Sequence, residues 1–314
     1  MRGATDNLLR STSTIDLKYW ARDRYIACCV LECEREVALL DPGPSITINK
    51  LRLDLKEKGI GISDVGTILL THVHLDHAGV TGSLLKENPR IRVYVHERGA
   101  KHLIDPRRLL ESASRTLGAR ADETWGPFFP VPSHNLHVVK GGEEITVENR
   151  SFEVLYTPGH AVHHVSYFEQ ASEVAFAGDA AGVRITDSFV YPATPPPDID
   201  LVKIDESLNL IEARKPQHLF LTHFGLVNKV EWHIAEFRKR LRRWSEYVRL
   251  SLEEGGDDLQ LAMNFTDMVR KELSLAVTAE EASWFDRSIS SRQNWHGLAR
   301  YWRNQRSRLA DAEG

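Results

Sequence analysis

Over its first two-thirds the chain alternates short apolar runs of strand length with polar or glycine-rich breaks. Residues 25–31 and 37–40 flank the charged turn Glu34-Arg35-Glu36 and predict a pair of strands, closed by Asp41-Pro42-Gly43-Pro44. A helix is expected over 46–58, ended by Gly59, and another over 201–213. Further strands are expected at 65–70, 93–95, 136–139, 144–147, 152–156, 174–177 and 218–220, with a short helix from about Glu97. From residue 229 the period changes. Trp232, Phe237, Leu241, Trp244, Tyr247 and Val248 recur at helical spacing, with Arg238, Lys239, Arg240, Arg242 and Arg243 between them as a solvated face. Gly255-Gly256-Asp257-Asp258 stops that helix, a second covers 259–273, and a third opens at Thr278, where Glu281 completes a capping box. The pattern divides the chain into a β-rich unit, 1–228, and a helical extension, 229–314.

Composition changes this picture little. With 42% apolar and 27% charged residues and a net charge of −4, the chain reads as soluble and globular, without the basic field that nucleic acid needs. Residues 1–7 lead into no apolar core of signal-peptide length and no run approaches bilayer length, so the expectation is a cytoplasmic protein with no membrane partner. Cys28, Cys29 and Cys33 share one strand-like segment and read as reduced, buried apolar residues. Trp232, Trp244, Trp284, Trp295 and Trp302, five of the seven tryptophans, follow residue 229. Short helices cannot cover that much aromatic surface among themselves, so part is expected on the β-rich unit and part in a homodimer interface.

Chemistry concentrates in Thr71-His72-Val73-His74-Leu75-Asp76-His77, directly behind the 65–70 run. Alternation along an extended chain sends His72 and His74 to one side, while Asp76 and His77 fall where the chain turns into a helix. Imidazole and carboxylate without thiolate suit zinc, iron or manganese. A lone histidine is usually structural; four ligand-type residues at this spacing point to metal. His160 in Thr157-Pro158-Gly159-His160, Asp179 after Gly178, and His223 after Thr222 likewise follow strand-like runs, where α/β sheets place their sites. There is no Ser-His-Asp nucleophile set and no phosphate-cradling glycine loop.

The motif H-x-H-x-D-H with later His, Asp and His resembles the metallo-β-lactamase fold family over roughly residues 15–228. That name denotes a fold, and most members are not lactamases. The resemblance implies a four-layer αββα sandwich holding two divalent metal ions, zinc first, with iron or manganese as alternatives. His72, His74 and His160 would hold one ion, Asp76, His77 and His223 the other, and Asp179 would bridge them. It implies a hydrolase acting on a small-molecule ester, thioester or lactone by metal-bound hydroxide. Asp76 would also orient that nucleophile and pass its proton to the leaving group. Asp41 matches the family's Asp-x-Gly turn and would steady a ligand imidazole, although Asp-Pro-Gly is also an ordinary turn. His164, four residues after His160, either supports a ligand or packs in the core. Tyr191 precedes the stiff segment 192–198, expected over the mouth of the site, and is a candidate to offer its phenol to an oxyanion; the segment otherwise reads as a rigid connector. Residues 105–133 fit the family pattern least. Their Arg107, Arg108, Arg115 and Arg120 and the patch Trp125-Gly126-Pro127-Phe128-Phe129-Pro130 either wall the substrate pocket or pack among themselves. The spacing around His160 and Asp179 resembles glyoxalase II-like thioesterases and lactone hydrolases, and Thr194-Pro195-Pro196-Pro197 with Leu221-Thr222-His223-Phe224-Gly225 resembles a prokaryotic branch of the family. The rival is an iron-dependent oxidoreductase of the persulfide dioxygenase kind, which uses one iron and fewer ligands.

Overall fold

The computed structural model describes residue 9, residues 11–117 and residues 121–313; Arg120, residues 1–8 and the side chain of Arg115 lie outside the described residues. Two six-stranded sheets dominate. In the first, β1 (Thr12–Asp16), β2 (Ala27–Glu32), β3 (Val37–Leu40), β4 (Val65–Leu69), β5 (Arg92–His96) and β6 (Leu136–Val139) lie in sequence order. β1 to β3 pair antiparallel, and β3 to β6 run parallel. Parallel neighbours need crossovers, and helices provide them: α1 (Ile48–Glu57), then α2 (Leu75–Ala78) and α3 (Thr81–Glu87), then α4 (Glu97–Ile104), α5 (Arg107–Leu117) and α6 (Ala121–Trp125). The second sheet comprises β7 (Glu144–Val147), β8 (Arg150–Tyr156), β9 (Val165–Glu169), β10 (Val174–Phe176), β13 (His218–Leu221) and β14 (Gly225–Val227), in the order β14-β13-β10-β9-β8-β7. A separate hairpin, β11 (Val183–Thr186) and β12 (Phe189–Tyr191), follows β10, and α7 (Leu201–Glu212) leads into β13.

Strand periodicity builds the layers. On β2, Ala27, Cys29 and Leu31 join Phe152, Val154, Tyr167, Phe176 and Phe220 of the other sheet in a core between the sheets, while Cys28 and Val30 join the helix-covered core outside. β3 repeats the split, with Ala38 and Leu40 inward and Val37 and Leu39 outward. The result is the four-layer αββα sandwich. Between the sheets Arg150 and Glu169 form a fully buried ion pair at 2.7 Å, with Thr12 accepting a further bond from the guanidinium at 2.8 Å. Removing either partner would strand a buried charge.

The extension comprises α8 (Val230–Glu254), α9 (Asp258–Leu273), α10 (Ala279–Ile289) and α11 (Ser291–Glu313). The Thr278–Glu281 capping box forms as expected. α11 is a fourth helix beyond the three expected; Ser290, in the left-handed region at φ 54°, breaks it from α10. Trp244 and Trp295 are fully buried and Trp284 nearly so, whereas Trp232 is 38% exposed. The arginine run is not simply solvated. Arg238 reaches Asp205 and Glu212 on α7, and Arg240 lies 3.9 Å from the centre of the Phe189 ring. Among the described residues no helix is long and apolar enough to cross a membrane.

Candidate metal centre

The carboxyl ends of β3, β4, β8, β10 and β13 all open on one rim of the sandwich, and the residues just beyond them carry the chemistry. β4 delivers His72 and His74, and α2 turns Asp76 and His77 inward. β8 is followed by His160, β10 by Asp179 and β13 by His223. The structure brings all seven together as three groups, His72/His74/His160, His72/His77/Asp179 and Asp76/His77/His223, with donor atoms within 4.8 Å of one another in each. His74 Nδ1 stands 2.8 Å from His72 Nε2 and 3.1 Å from His160 Nε2. On the other side Asp76 Oδ2 is 3.4 Å from His223 Nε2. Asp179 lies between them: its Oδ2 is 3.4 Å from His160 Nε2, and its Oδ1 is 3.4 Å from His77 Nε2 and 3.7 Å from His223 Nε2. Gly178 makes this placement possible. At φ +48°, a Cβ there would stand 2.6 Å from Thr71 Oγ1 and 2.8 Å from His164 Nε2.

The outward ring nitrogens fix how the imidazoles present themselves. His160 Nδ1 pairs with the Ala193 carbonyl at 3.1 Å and His223 Nδ1 with the Tyr25 carbonyl at 2.7 Å. A carbonyl only accepts, so both Nδ1 atoms donate and both Nε2 atoms face the cluster. His77 Nδ1 meets Asp41 Oδ2 at 2.8 Å with the same result. Asp41 is fully buried and also accepts from the Thr71 amide and from the hydroxyls of Thr71 and Thr222, at 2.6–2.8 Å. His164 works one layer further out: its Nε2 accepts from the Asp179 amide at 3.2 Å, while its Nδ1 pairs with Thr157. Burial drives its pKa well below the usual histidine range, which keeps the acceptor nitrogen bare.

Charge is divided across the cluster. Burial, reinforced by neighbouring imidazoles, holds His72 well below the ordinary value and His74 down to about 3. His77 and His223 go the other way: burial opposes their charge, but Asp179 with Asp76, and Asp41 beside His77, raise them. Burial works to raise Asp76, yet His77 and His223 hold it down to about 2. Buried His77 Nε2 and Asp179 Oδ1 have no hydrogen-bond partner although they stand 3.4 Å apart. Ring nitrogens and carboxylate oxygens converging on one spot, with orphaned buried polar atoms among them, are what a cation would satisfy, so the donor set fits divalent metal. His74 and Asp76 are the partly exposed members, Asp76 with 22% of its side chain open, and the cluster meets solvent on their side.

Tyr191 departs from expectation. It is fully buried, its hydroxyl pairs with Ser291 at 3.0 Å, and its ring meets Trp244 edge-on, so its phenol is committed to the extension rather than turned to the cluster. The 125–130 patch packs on its neighbours: Trp125 stacks on Tyr19 at 5.6 Å, and the Phe129 backbone lies against Gly82. Segment 192–198 does reach the centre, through the Ala193 carbonyl. Sequence reasoning missed Thr71 and Thr222, although each directly precedes a ligand-type histidine. It also missed His163, whose buried ring sits 5.7 Å from His74 and 6.1 Å from His72. The carbonyls of Tyr25 and Ala193 leave no sequence signal, because every residue has one.

Known proteins agree with this architecture. The metallo-beta-lactamase superfamily profile matches residues 21–223. A metallo-beta-lactamase fold-containing protein from Sulfurisphaera tokodaii is 31% identical over 194 residues, 60% of this chain and 70% of that one. A hydroxyacylglutathione hydrolase from Legionella pneumophila is 28% identical over 161 residues, 50% of this chain, and the match spans only 47% of the relative. A metallo-beta-lactamase family protein from Thermus thermophilus superposes with a TM-score of 0.68 over 95% of both chains at 23% identity, a likeness of fold. With the sandwich, the rim and the histidine–aspartate cluster in place, the chain belongs to the metallo-beta-lactamase superfamily.

Proposed function

We propose that this protein is a metal-dependent hydrolase that holds two divalent ions, zinc first, and cleaves a small-molecule ester, thioester or lactone. The observation that carries the reading is Asp179, whose two carboxylate oxygens are divided between His160 on one side and His77 with His223 on the other. His72, His74 and His160 would hold one ion, Asp76, His77 and His223 the second, and Asp179 would bridge. Ions so placed supply Lewis-acid polarisation and a lowered pKa for water. The chain's own part is to fix every ligand with its inward atom aimed at the ions. Asp76 has a further role. Held ionised at the open side of the cluster, it is the carboxylate in reach of an incoming substrate, and it takes a proton from the attacking water and returns it to the leaving group. Relatives named hydroxyacylglutathione hydrolase support a thioester as the first substrate to try. The test is a panel of thioester, lactone and phosphoester substrates against zinc-loaded and chelated protein. Hydrolysis of a thioester or lactone that vanishes with the metal, and that Asp76→Asn cuts in kcat more than in KM, is expected. Turnover that persists after verified metal removal contradicts the reading.

A further inference from the structure

We propose that the C-terminal helix sets the position of His160, through Asn294 acting on the backbone of residues 192–194. The inference rests on His160 being a metal ligand, as proposed above. Asn294 is fully buried on α11, and its amide is spent at both ends: Oδ1 accepts from the Thr194 N–H at 2.9 Å, and Nδ2 donates to the Pro192 carbonyl at 3.2 Å. These two bonds bracket Ala193, the residue whose carbonyl accepts from His160 Nδ1 at 3.1 Å. One turn on, Gly297 lets the helix close in; a Cβ at that position would lie 2.0 Å from the Thr194 carbonyl oxygen. One turn before, Ser291 pairs with Tyr191 at 3.0 Å. Residues 291, 294 and 297 therefore form one stripe along the helix, seated on the strand end and proline-rich segment that carry the acceptor for His160. Proline at 192 and 195–197 removes amide donors from this stretch, so little of its own backbone can fix the Ala193 carbonyl. Asn294 does so instead. It touches no ligand atom and is a positioning residue: it orients the carbonyl that orients the imidazole.

The test is zinc affinity by competition with a chromophoric chelator, on the full chain, for the wild type, Asn294→Ala, Ser291→Ala, His160→Ala and the double variant Asn294→Ala/His160→Ala. Thermal unfolding in excess chelator checks the fold of each. Loss of a partner that orients a ligand typically costs about 10- to 100-fold in metal affinity; Asn294 acts one bond further out, so Asn294→Ala should weaken one zinc by about tenfold. Ser291→Ala, which loosens the same helix without touching residues 192–194, should change it less than about twofold. Adding Asn294→Ala to His160→Ala should cost nothing more. Should Asn294→Ala fail to fold, Asn294→Asp, which keeps the acceptor for Thr194 and loses the donor to Pro192, carries the same comparison. Unchanged affinity, an equal loss in Ser291→Ala, or an undiminished loss in the His160→Ala background overturns the proposal. A wild type that binds no zinc overturns the metal reading itself.

Discussion

Two oxygens of Asp41 serve four donors, and one of those donors is His77 Nδ1. Replacing Asp41 with Asn leaves one oxygen and puts an N–H against groups that must donate. We expect Asp41→Asn to weaken the ion beside His77 by about 10- to 100-fold while sparing the other, measured as metal content after dialysis against a buffered chelator. The same residues set a pH dependence. In the metal-free protein His77 and His223 are held charged above the usual histidine pKa, so a cation must displace their protons. Affinity at that group therefore falls as pH drops below those raised values. His72 and His74, pushed down, present no proton to displace until far lower pH. On acidification of cobalt-substituted protein the ion at Asp76/His77/His223 should leave first, followed by its visible absorption; simultaneous loss of both ions counts against the assignment. The ligand-type residues were legible in the sequence because the chemistry requires those side chains. Thr71 and Thr222 were legible in principle, each standing before a histidine, but hydroxyls near a strand end have many ordinary uses.

Strand ends determine whether the ligand-type residues meet. β8, β10 and β13 run in one direction, as do β3 and β4, so five loops converge on one rim. Gly178 shapes the loop that carries Asp179. Gly178→Ala adds a methyl within 2.6 Å of Thr71 Oγ1 in the left-handed region, and we expect it to displace Asp179 and lose both ions together, a larger defect than His223→Ala. Elemental analysis alongside circular dichroism separates that outcome from unfolding. Short apolar runs bounded by turns gave away β2, β3, β4 and β10 within a residue or two, since burial on both faces leaves no other use for such runs. β1 and the β11–β12 hairpin escaped because Thr12-Ser13-Thr14 is polar and because Arg184, Thr186 and Ser188 interrupt the apolar pattern. The separate α11 was hidden because Ser290 carries no breaker signal of the kind glycine or proline gives.

At the scale of the molecule, the extension is an integral part of the packing. Trp244 meets Tyr191 and Phe265 edge-on, Trp284 meets Tyr25, and Tyr25 in turn supplies the carbonyl that holds His223. The aromatic surplus invoked for a two-fold partner is thus largely buried within the chain. Deleting residues 258–314 removes the partners of Tyr191, Tyr25 and residues 192–194, so it should lower solubility and impair zinc binding although every proposed ligand remains. A truncated chain that stays soluble with full zinc content would refute that coupling. The central claim, two ions bridged by Asp179, has its most direct test in elemental analysis of zinc-reconstituted wild type beside His223→Ala. Two zinc ions per wild-type chain and one per variant chain is the expected result; one ion in both, unaffected by the substitution, would contradict the account.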